Sequence, residues 1–118
     1  MRLFDTSFVI RMIRNKKFEV GAISILTIIE ILRGVSPKKR NTVKSRLENA
    51  FDTIGIDNKV ILEYCSLYQA LKSKGELIPD ADLIIAASAK AYDLELVTMD
   101  NDFERLRKYG IKVTLISE

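Results

Sequence analysis

Three aspartates and one glutamate stand at the borders of apolar segments or inside one, where a carboxylate needs a reason to be present. Asp5 follows a short apolar run at the N-terminus, Asp100 lies just beyond the segment LVT, and Asp82 opens the stretch LIIAASA. Glu30 interrupts the sequence IIEIL, where an ionised side chain is costly unless it is paired. Converging carboxylates repel one another, and a divalent cation neutralises such a cluster. The residue types therefore favour a Mg²⁺ or Mn²⁺ site, whose chemistry includes phosphodiester hydrolysis.

The composition excludes several other kinds of site. The 118 residues include no His and a single Cys, Cys65. A Ser-His-Asp triad, a histidine acid-base pair, a thiolate zinc site and an internal disulfide therefore cannot be built. Catalysis must depend on carboxylates. Cys65 lies in a helical apolar pattern, which is typical of a small residue in the core or near the surface.

The aspartates also have a purely structural interpretation. Asp80 or Asp82 can cap the helix that begins there, and Asp5 can be a turn residue. Asp100 and Asp102 lie in MDNDF, which is typical of an Asx-rich turn. Their shared placement favours function, because the carboxyl ends of parallel strands meet at one edge of a sheet, where ligands bind.

Apolar blocks and capping residues predict an alternation of strands and helices. Strands are expected at residues 1–4, 20–24, 53–56, 96–98 and 111–116. Helices are expected at residues 8–16, 25–34, 37–51, 59–74, 80–92 and 103–108. Thr6 and Ser7 offer caps for the first helix, Ser36 and Pro37 an N-cap and first residue for the third, and Asp57 a cap for the fourth. The pattern predicts an α/β sandwich with a mostly parallel sheet, built as one domain over residues 1–118.

Four segments carry a likeness to a known family: DTSFVI at 5–10, SILTIIEILRGV at 24–35, PDADLIIAASAKAYDLELVT at 79–98 and DNDF at 100–103. Together they resemble the PIN-domain ribonucleases of the VapC toxin type. The Glu-x-x-Arg-Gly step from Glu30, the Asp-x-x-Ile-Ala-Ala helix start at Asp82 and the Leu-Val-Thr-x-Asp-x-Asp-Phe segment are characteristic as an ordered set. The similarity spans nearly the whole chain, and the segment between Gly34 and Gly75 is short for the family.

The resemblance implies a three-layer α/β/α fold and a site in which four acids bind Mg²⁺ or Mn²⁺, namely Asp5, Glu30, Asp82 and Asp100. Thr98 would support this site, Asp102 would lie beside it, and Asp80 would be a cap or a support for the ligands. The resemblance further implies a metal-dependent endoribonuclease that cleaves RNA and acts as a homodimer. Such a protein is the toxin of a type II toxin-antitoxin pair and is held inactive by a cognate antitoxin protein.

Charge is unevenly distributed along the chain. Residues 1–46 carry 11 Lys and Arg against 3 Asp and Glu, whereas residues 47–118 carry 8 against 13. This asymmetry indicates an anionic partner near the basic part, with a solvated lysine-rich surface as the alternative. Five residues are candidates for contacts with an RNA backbone: Lys38, Lys39, Arg40, Lys44 and Arg46.

The sequence carries no sign of a membrane segment or of a signal peptide. The longest apolar stretch, VGAISILTII, ends at Glu30 and is shorter than the roughly 20 residues that a membrane span requires. The N-terminal segment has charges inside its apolar run and no small-residue cleavage site. We therefore expect a cytoplasmic protein without a membrane contact.

Two other functions stay open at this point. A catalytically silent PIN-like module could bind RNA or a protein and keep the acids for structure, and a lack of metal-dependent RNA cleavage would favour it. A phosphatase with Asp5 as its nucleophile is the other. That chemistry usually requires a second aspartate two residues further on, whereas Ser7 occupies that position.

Overall fold

The structure is a computed structural model that describes residues 1–117, and strands and helices alternate along the chain as predicted. The strands are β1 (Arg2–Phe4), β2 (Ala22–Ser24), β3 (Asp52–Ile54), β4 (Glu95–Thr98) and β5 (Val113–Leu115). The α-helices are α1 (Thr6–Asn15), α2 (Ile25–Leu32), α3 (Arg40–Ala50), α4 (Asn58–Ser73) and α5 (Asp80–Ala91). A 3₁₀ helix, Asn101–Tyr109, connects β4 to β5. Within residues 1–117, no helix is both long and apolar enough to cross a membrane.

The five strands form one parallel sheet in the order β3-β2-β1-β4-β5. Leu3 of β1 is paired with Ala22 on one side and with Leu96 on the other. The chain thus extends the sheet from β1 through β2 to β3, and then returns to place β4 on the other side of β1. This return makes the gap between β1 and β4 the topological switch point of the sheet. In sheets of this kind, ligands bind beyond the carboxyl ends of the strands at that point.

The strands bury alternate residues on opposite faces of the sheet. Leu3 and Leu96 belong to the core beneath α4, α5 and the 3₁₀ helix. Phe4 and Val97 belong to a second core that includes residues of α1, α2 and α3. Helices therefore cover both faces, which confirms the three-layer α/β/α sandwich and explains why the strands are mostly apolar.

The region around α3 differs from the prediction. The Lys39 N–H donates to the carbonyl of Ser36 (2.9 Å) and closes a turn. As a result, α3 begins at Arg40 rather than at Pro37, and no side chain caps it. The next strand begins at Asp52 and ends at Ile54, earlier than the predicted residues 53–56.

Both ends of α4 lie within one residue of the prediction, and the 3₁₀ helix ends before Gly110 as predicted. Asp57 caps α4, because its Oδ1 accepts a hydrogen bond from the Val60 N–H (3.0 Å). Gly75 and Gly110 follow α4 and the 3₁₀ helix with φ of 66° and 87°, the left-handed conformation that glycine adopts most easily. Cys65 is exposed on α4.

Candidate active site

Asp5 is held by hydrogen bonds on both carboxylate oxygens. It follows β1 directly and is 4% exposed. Its Oδ1 accepts hydrogen bonds from the Phe8 N–H (3.0 Å) and from the Ser7 hydroxyl (2.9 Å). Its Oδ2 accepts a hydrogen bond from the hydroxyl of Thr98, the last residue of β4. Asp5 rather than Thr6 or Ser7 is therefore the N-cap of α1, and it lies at the switch point between β1 and β4.

The end of β4 contributes Thr98 and Asp100. Thr98 is completely buried, and its hydroxyl also accepts a hydrogen bond from the Asp100 N–H (2.9 Å). The Oδ1 of Asp100 accepts from the Asp102 N–H (2.9 Å) and so caps the 3₁₀ helix. Asp102 is exposed and forms an ion pair with Arg105 (3.5 Å). The turn geometry expected for this segment is present, and Thr98 connects it directly to Asp5.

Glu30 lies in the second turn of α2 and is half-buried rather than turned fully into the core. Its Oε1 accepts a hydrogen bond from the Thr6 hydroxyl (2.7 Å). That hydroxyl lies 3.0 Å from the hydroxyl of Thr27, which is completely buried. Since Thr6 is adjacent to Asp5, this contact between α1 and α2 holds the Glu30 carboxylate near the same strand end.

The two aspartates at the start of α5 have different surroundings. Pro79 occupies the N-cap position, and no side chain caps the helix, so the capping interpretation is wrong for both Asp80 and Asp82. Asp80 instead accepts a hydrogen bond from the Tyr64 hydroxyl of α4 (2.7 Å). Asp82 is half-buried and accepts no hydrogen bond from any other group among residues 1–117. Its neighbours are other acids.

Burial and neighbouring negative charges both act on the pKa of Asp82 and of Asp5. Burial is the main cause that raises the pKa of Asp82 to about 6, followed by the negative charges of Asp100, Glu30, Asp5 and Asp102. Burial also raises the pKa of Asp5, against the lowering effect of its hydrogen bonds, and the charge of Asp100 raises it further. Within the described part of the chain, no Lys or Arg forms a salt bridge with any of the four predicted acids. The fold thus places the four acids together without a protein cation among them.

The donor set of this cluster fits a hard divalent cation, although it is not a closed metal cage. Among residues 1–117, no group of three or more His, Cys, Asp or Glu side chains is placed so that it could hold a metal ion. Mg²⁺ keeps several waters and takes only one or two protein carboxylates directly, so an open cluster of oxygens suits it. Asp82 and the second oxygens of Glu30 and Asp100 accept no hydrogen bonds from described residues, which leaves them available as ligands.

The predicted RNA-binding residues lie on α3 and on the turn before it, and all five are exposed. Lys44 forms an ion pair with Glu48 one turn further along α3 (2.8 Å). The Arg40 Nε donates to the carbonyl of Val35 (3.0 Å). Arg46 lines a cavity of about 630 Å³ between the end of α1 and α3. These contacts do not involve the acids, and a role of the segment in RNA binding stays a prediction.

Two arginines near the site are not among the residues predicted from the sequence. Arg11 and Arg14 lie on α1, and with Ser7, Ile10 and Met99 they line a cavity of about 440 Å³. Positions 7, 11 and 14 have the i, i+4, i+7 spacing of one helix face, which is a signal that could have identified them. The denser run of basic residues on α3 obscures that signal.

Comparison with known proteins identifies the family. Residues 2–109 match the PIN domain. The chain is 37% identical over 115 residues to Ribonuclease VapC1 of Methanocaldococcus jannaschii, which covers 94% of this chain and 85% of that protein. Its fold is similar to DNA-bound VapBC from Salmonella typhimurium, with a TM-score of 0.80, 21% identity and 97% of each chain covered. It is also similar to VapBC2 from Rickettsia felis, bound to a promoter DNA fragment, with a TM-score of 0.78, 23% identity and 98% of each chain covered.

At 21% and 23% identity, the solved structures establish only the fold. The matches to the PIN domain and to VapC1 are matches of sequence and therefore establish the family. The four acids at the switch point fall within the matched residues 2–109. The chain therefore belongs to the PIN-domain family, as a member of the VapC type.

Proposed function

We propose that this chain is a metal-dependent endoribonuclease and the toxin of a type II toxin-antitoxin pair. The observation that carries the proposal is the cluster of four acids at the switch point, in which Asp82 is repelled by the other three. Such a cluster without a protein cation is suited to hold Mg²⁺ or Mn²⁺. The similarity to a protein named as a ribonuclease supports RNA as the substrate.

Some residues of the site position the carboxylates, and others offer oxygens to a metal ion. The three hydrogen bonds to Asp5 fix its carboxylate, and one lone pair of Oδ2 remains for a ligand. Thr6 orients Glu30 in the same way, while Asp82 and Asp100 present oxygens toward the shared space. A bound Mg²⁺ or Mn²⁺ supplies positive charge that polarises the phosphodiester and stabilises the negative charge that develops during hydrolysis. Thr98 links Asp5 to Asp100, because its hydroxyl donates to the Asp5 carboxylate and accepts from the Asp100 N–H.

The proposal is tested by incubating the purified protein with single-stranded RNA in EDTA, in Mg²⁺ and in Mn²⁺. Cleavage should require the metal and should be abolished by Asp82→Asn. The matched control is Asp52→Asn, an exposed aspartate on the edge strand β3, which should cleave like the wild type. If the wild type cleaves nothing under any condition, the catalytically silent binding module becomes the better function.

The antitoxin, the homodimer and the cytoplasmic location belong to the same proposal. A partner protein can inhibit by placing an Arg or Lys among the acids, where its cation replaces the metal through charge-assisted hydrogen bonds. Another solved structure of similar fold is described as a toxin-antitoxin complex, from Klebsiella pneumoniae. Exposed apolar side chains on α4, Ile61 and Leu62, are of the kind that an interface between two copies buries. Light scattering of the purified protein measures whether it is a dimer.

Toxicity has its own test. Induction of the wild-type chain should arrest growth, and co-expression of the small reading frame beside its gene should relieve the arrest. Asp5→Asn should not arrest growth, because the central carboxylate of the site is lost. Equal arrest by Asp5→Asn and by the wild type would show that toxicity does not come from nuclease chemistry.

A further inference from the structure

The outward face of α1 forms a trough that continues into the acidic site. Ser7, Arg11 and Arg14 line its first part, a cavity of about 440 Å³. Ser7 and Met99 also line a second cavity of about 580 Å³ together with Asp100. Because the two cavities share these residues, they are adjacent, and together they extend from Arg14 to Asp100, one of the four acids. The Ser7 hydroxyl, which donates to Asp5, lies at their junction.

The two arginines are placed to contact an extended anion. With a rise of about 1.5 Å per residue, Arg11 and Arg14 lie about 6 Å and about 10 Å beyond Ser7 along the helix axis. Arg11 is half-buried and donates to the carbonyl of Ser117 (3.1 Å), whereas Arg14 is exposed. Neither forms a salt bridge with a carboxylate of residues 1–117. A guanidinium presents several donors that match phosphate oxygens.

Because the site is acidic, an RNA strand needs contacts with positive side chains nearby. An RNA strand brings a negative charge with every nucleotide, and the carboxylates repel the phosphates next to the one that is cleaved. Positive side chains at the entrance offset that repulsion and hold the strand in one direction. An acidic peptide would also fit two arginines, but it would add charge beside the carboxylates without offering a phosphodiester to the site. The trough therefore suits RNA better than a protein partner.

We propose that Arg11 and Arg14 form a phosphate-binding subsite that holds the RNA backbone on one side of the bond to be cleaved. This inference rests on the proposed ribonuclease function. It places a guide for the substrate on α1, the helix that Asp5 caps.

The test measures RNA binding apart from cleavage. A short fluorescein-labelled single-stranded RNA is titrated by anisotropy against the Asp82→Asn protein in EDTA, over a series of salt concentrations. Adding Arg11→Gln and Arg14→Gln should weaken binding about 10-fold or more. The slope of log K against log salt should become smaller by about 1.4, because each phosphate contact on a single strand contributes about 0.7.

The matched control adds Lys90→Gln and Lys112→Gln, which remove the same charge from exposed positions at the end of α5 and just before β5, opposite the site. It should leave the salt slope as it is in Asp82→Asn alone. Arg14→Gln by itself is the second test variant, since it leaves the contact between Arg11 and Ser117 in place, and it should lower the slope by about 0.7.

The outcomes separate this inference from the function on which it rests. If the wild type neither binds nor cleaves RNA, the ribonuclease proposal fails and this subsite fails with it. If the wild type cleaves RNA but the arginine and lysine variants have equal slopes, the subsite alone is refuted. Unchanged RNA binding with loss of binding to the antitoxin would also refute it, and would assign the trough to the protein partner.

Discussion

Replacement of Asp82 by asparagine should stabilise the metal-free protein at neutral pH. The pKa of Asp82 is raised from 3.8 to about 6, so the ionised side chain is disfavoured in the folded state. A difference of about 2 pKa units corresponds to about 3 kcal/mol. Because the side chain is only half-buried, solvent screening reduces this figure, and we expect about 1–2 kcal/mol. Asparagine keeps the shape of the side chain and removes the repulsion.

The sign of the effect follows from proton binding. The folded protein binds the Asp82 proton more tightly than the unfolded chain does, so the contribution to stability is complete below about pH 4. This contribution to the free energy of unfolding is lost as the pH rises through about 6. Above that pH the ionised Asp82 side chain lowers the stability of the folded protein. The free energy of unfolding of the wild type should therefore fall between about pH 4 and about pH 6, and the fall should be smaller in Asp82→Asn. The raised pKa of Asp5 acts in the same direction and remains in the variant.

Asp80→Asn is the matched control, because Asp80 lies in the same first turn of α5 but faces Tyr64. Both substitutions remove a favourable interaction with the helix dipole of about 0.3–1 kcal/mol. Their difference therefore cancels the helix-dipole contribution and leaves the cost of the half-buried, crowded Asp82 charge, together with the weakened contact between Asp80 and Tyr64. Urea denaturation in EDTA at about pH 7.5 should give Asp82→Asn the higher free energy of unfolding by about 1–2 kcal/mol. Equal values for the two variants would refute the reasoning, since they would mean that the Asp82 charge costs the folded protein no stability.

Metal addition should act on the same charge. Mn²⁺ at about 100 times its dissociation constant should raise the free energy of unfolding of the wild type by about 2.7 kcal/mol. The gain should be much smaller in Asp82→Asn, which lacks a ligand. A wild type whose stability does not respond to Mn²⁺ or Mg²⁺ would contradict the assignment of a metal site.

Two further substitutions test the groups that position the site and the sheet. Thr6→Val removes the hydroxyl that orients Glu30 and should lower the rate of RNA cleavage about 10- to 100-fold. Circular dichroism should show little change in the fold. Full cleavage activity would show that Glu30 needs no support from Thr6. Gly21→Ala should destabilise the protein by about 1–3 kcal/mol in urea, because its Cβ would lie 2.5 Å from the Phe4 ring and 2.9 Å from the carbonyl of Arg2. Gly34→Ala, whose nearest contact is 3.6 Å, is the control that should be tolerated.

The architecture could be predicted because short apolar blocks alternate with amphipathic helices, and this pattern leaves few topologies. Boundaries were less accurate where local hydrogen bonds compete. Ser36 and Pro37 look like the start of a helix, yet the carbonyl of Ser36 accepts from Lys39 and closes a turn first. A capping pattern in sequence cannot reveal which of two neighbouring turns will form.

The shared placement of Asp5 and Asp100 could be predicted for a similar reason, since both follow strands that had to be parallel. The support for Glu30 could not. Thr6 and Glu30 are 24 positions apart, and their hydrogen bond exists only because α1 packs beside α2. Such a contact depends on the relative placement of two helices, which residue types and local spacing do not determine.

The start of α5 shows how geometry gives two similar carboxylates different roles. Asp80 and Asp82 are two residues apart, which is a rotation of about 200° around the helix axis. The two side chains therefore lie on nearly opposite sides of α5. One side of α5 faces α4, where Asp80 meets the Tyr64 hydroxyl. The opposite side faces the ends of β1 and β4, where Asp82 meets three other acids and has a raised pKa. If the sequence were displaced along α5 by one residue, both aspartates would rotate by about 100° around the helix axis. Asp82 would then be separated from the other acids. The site therefore depends as much on where α5 begins as on the acids that it carries.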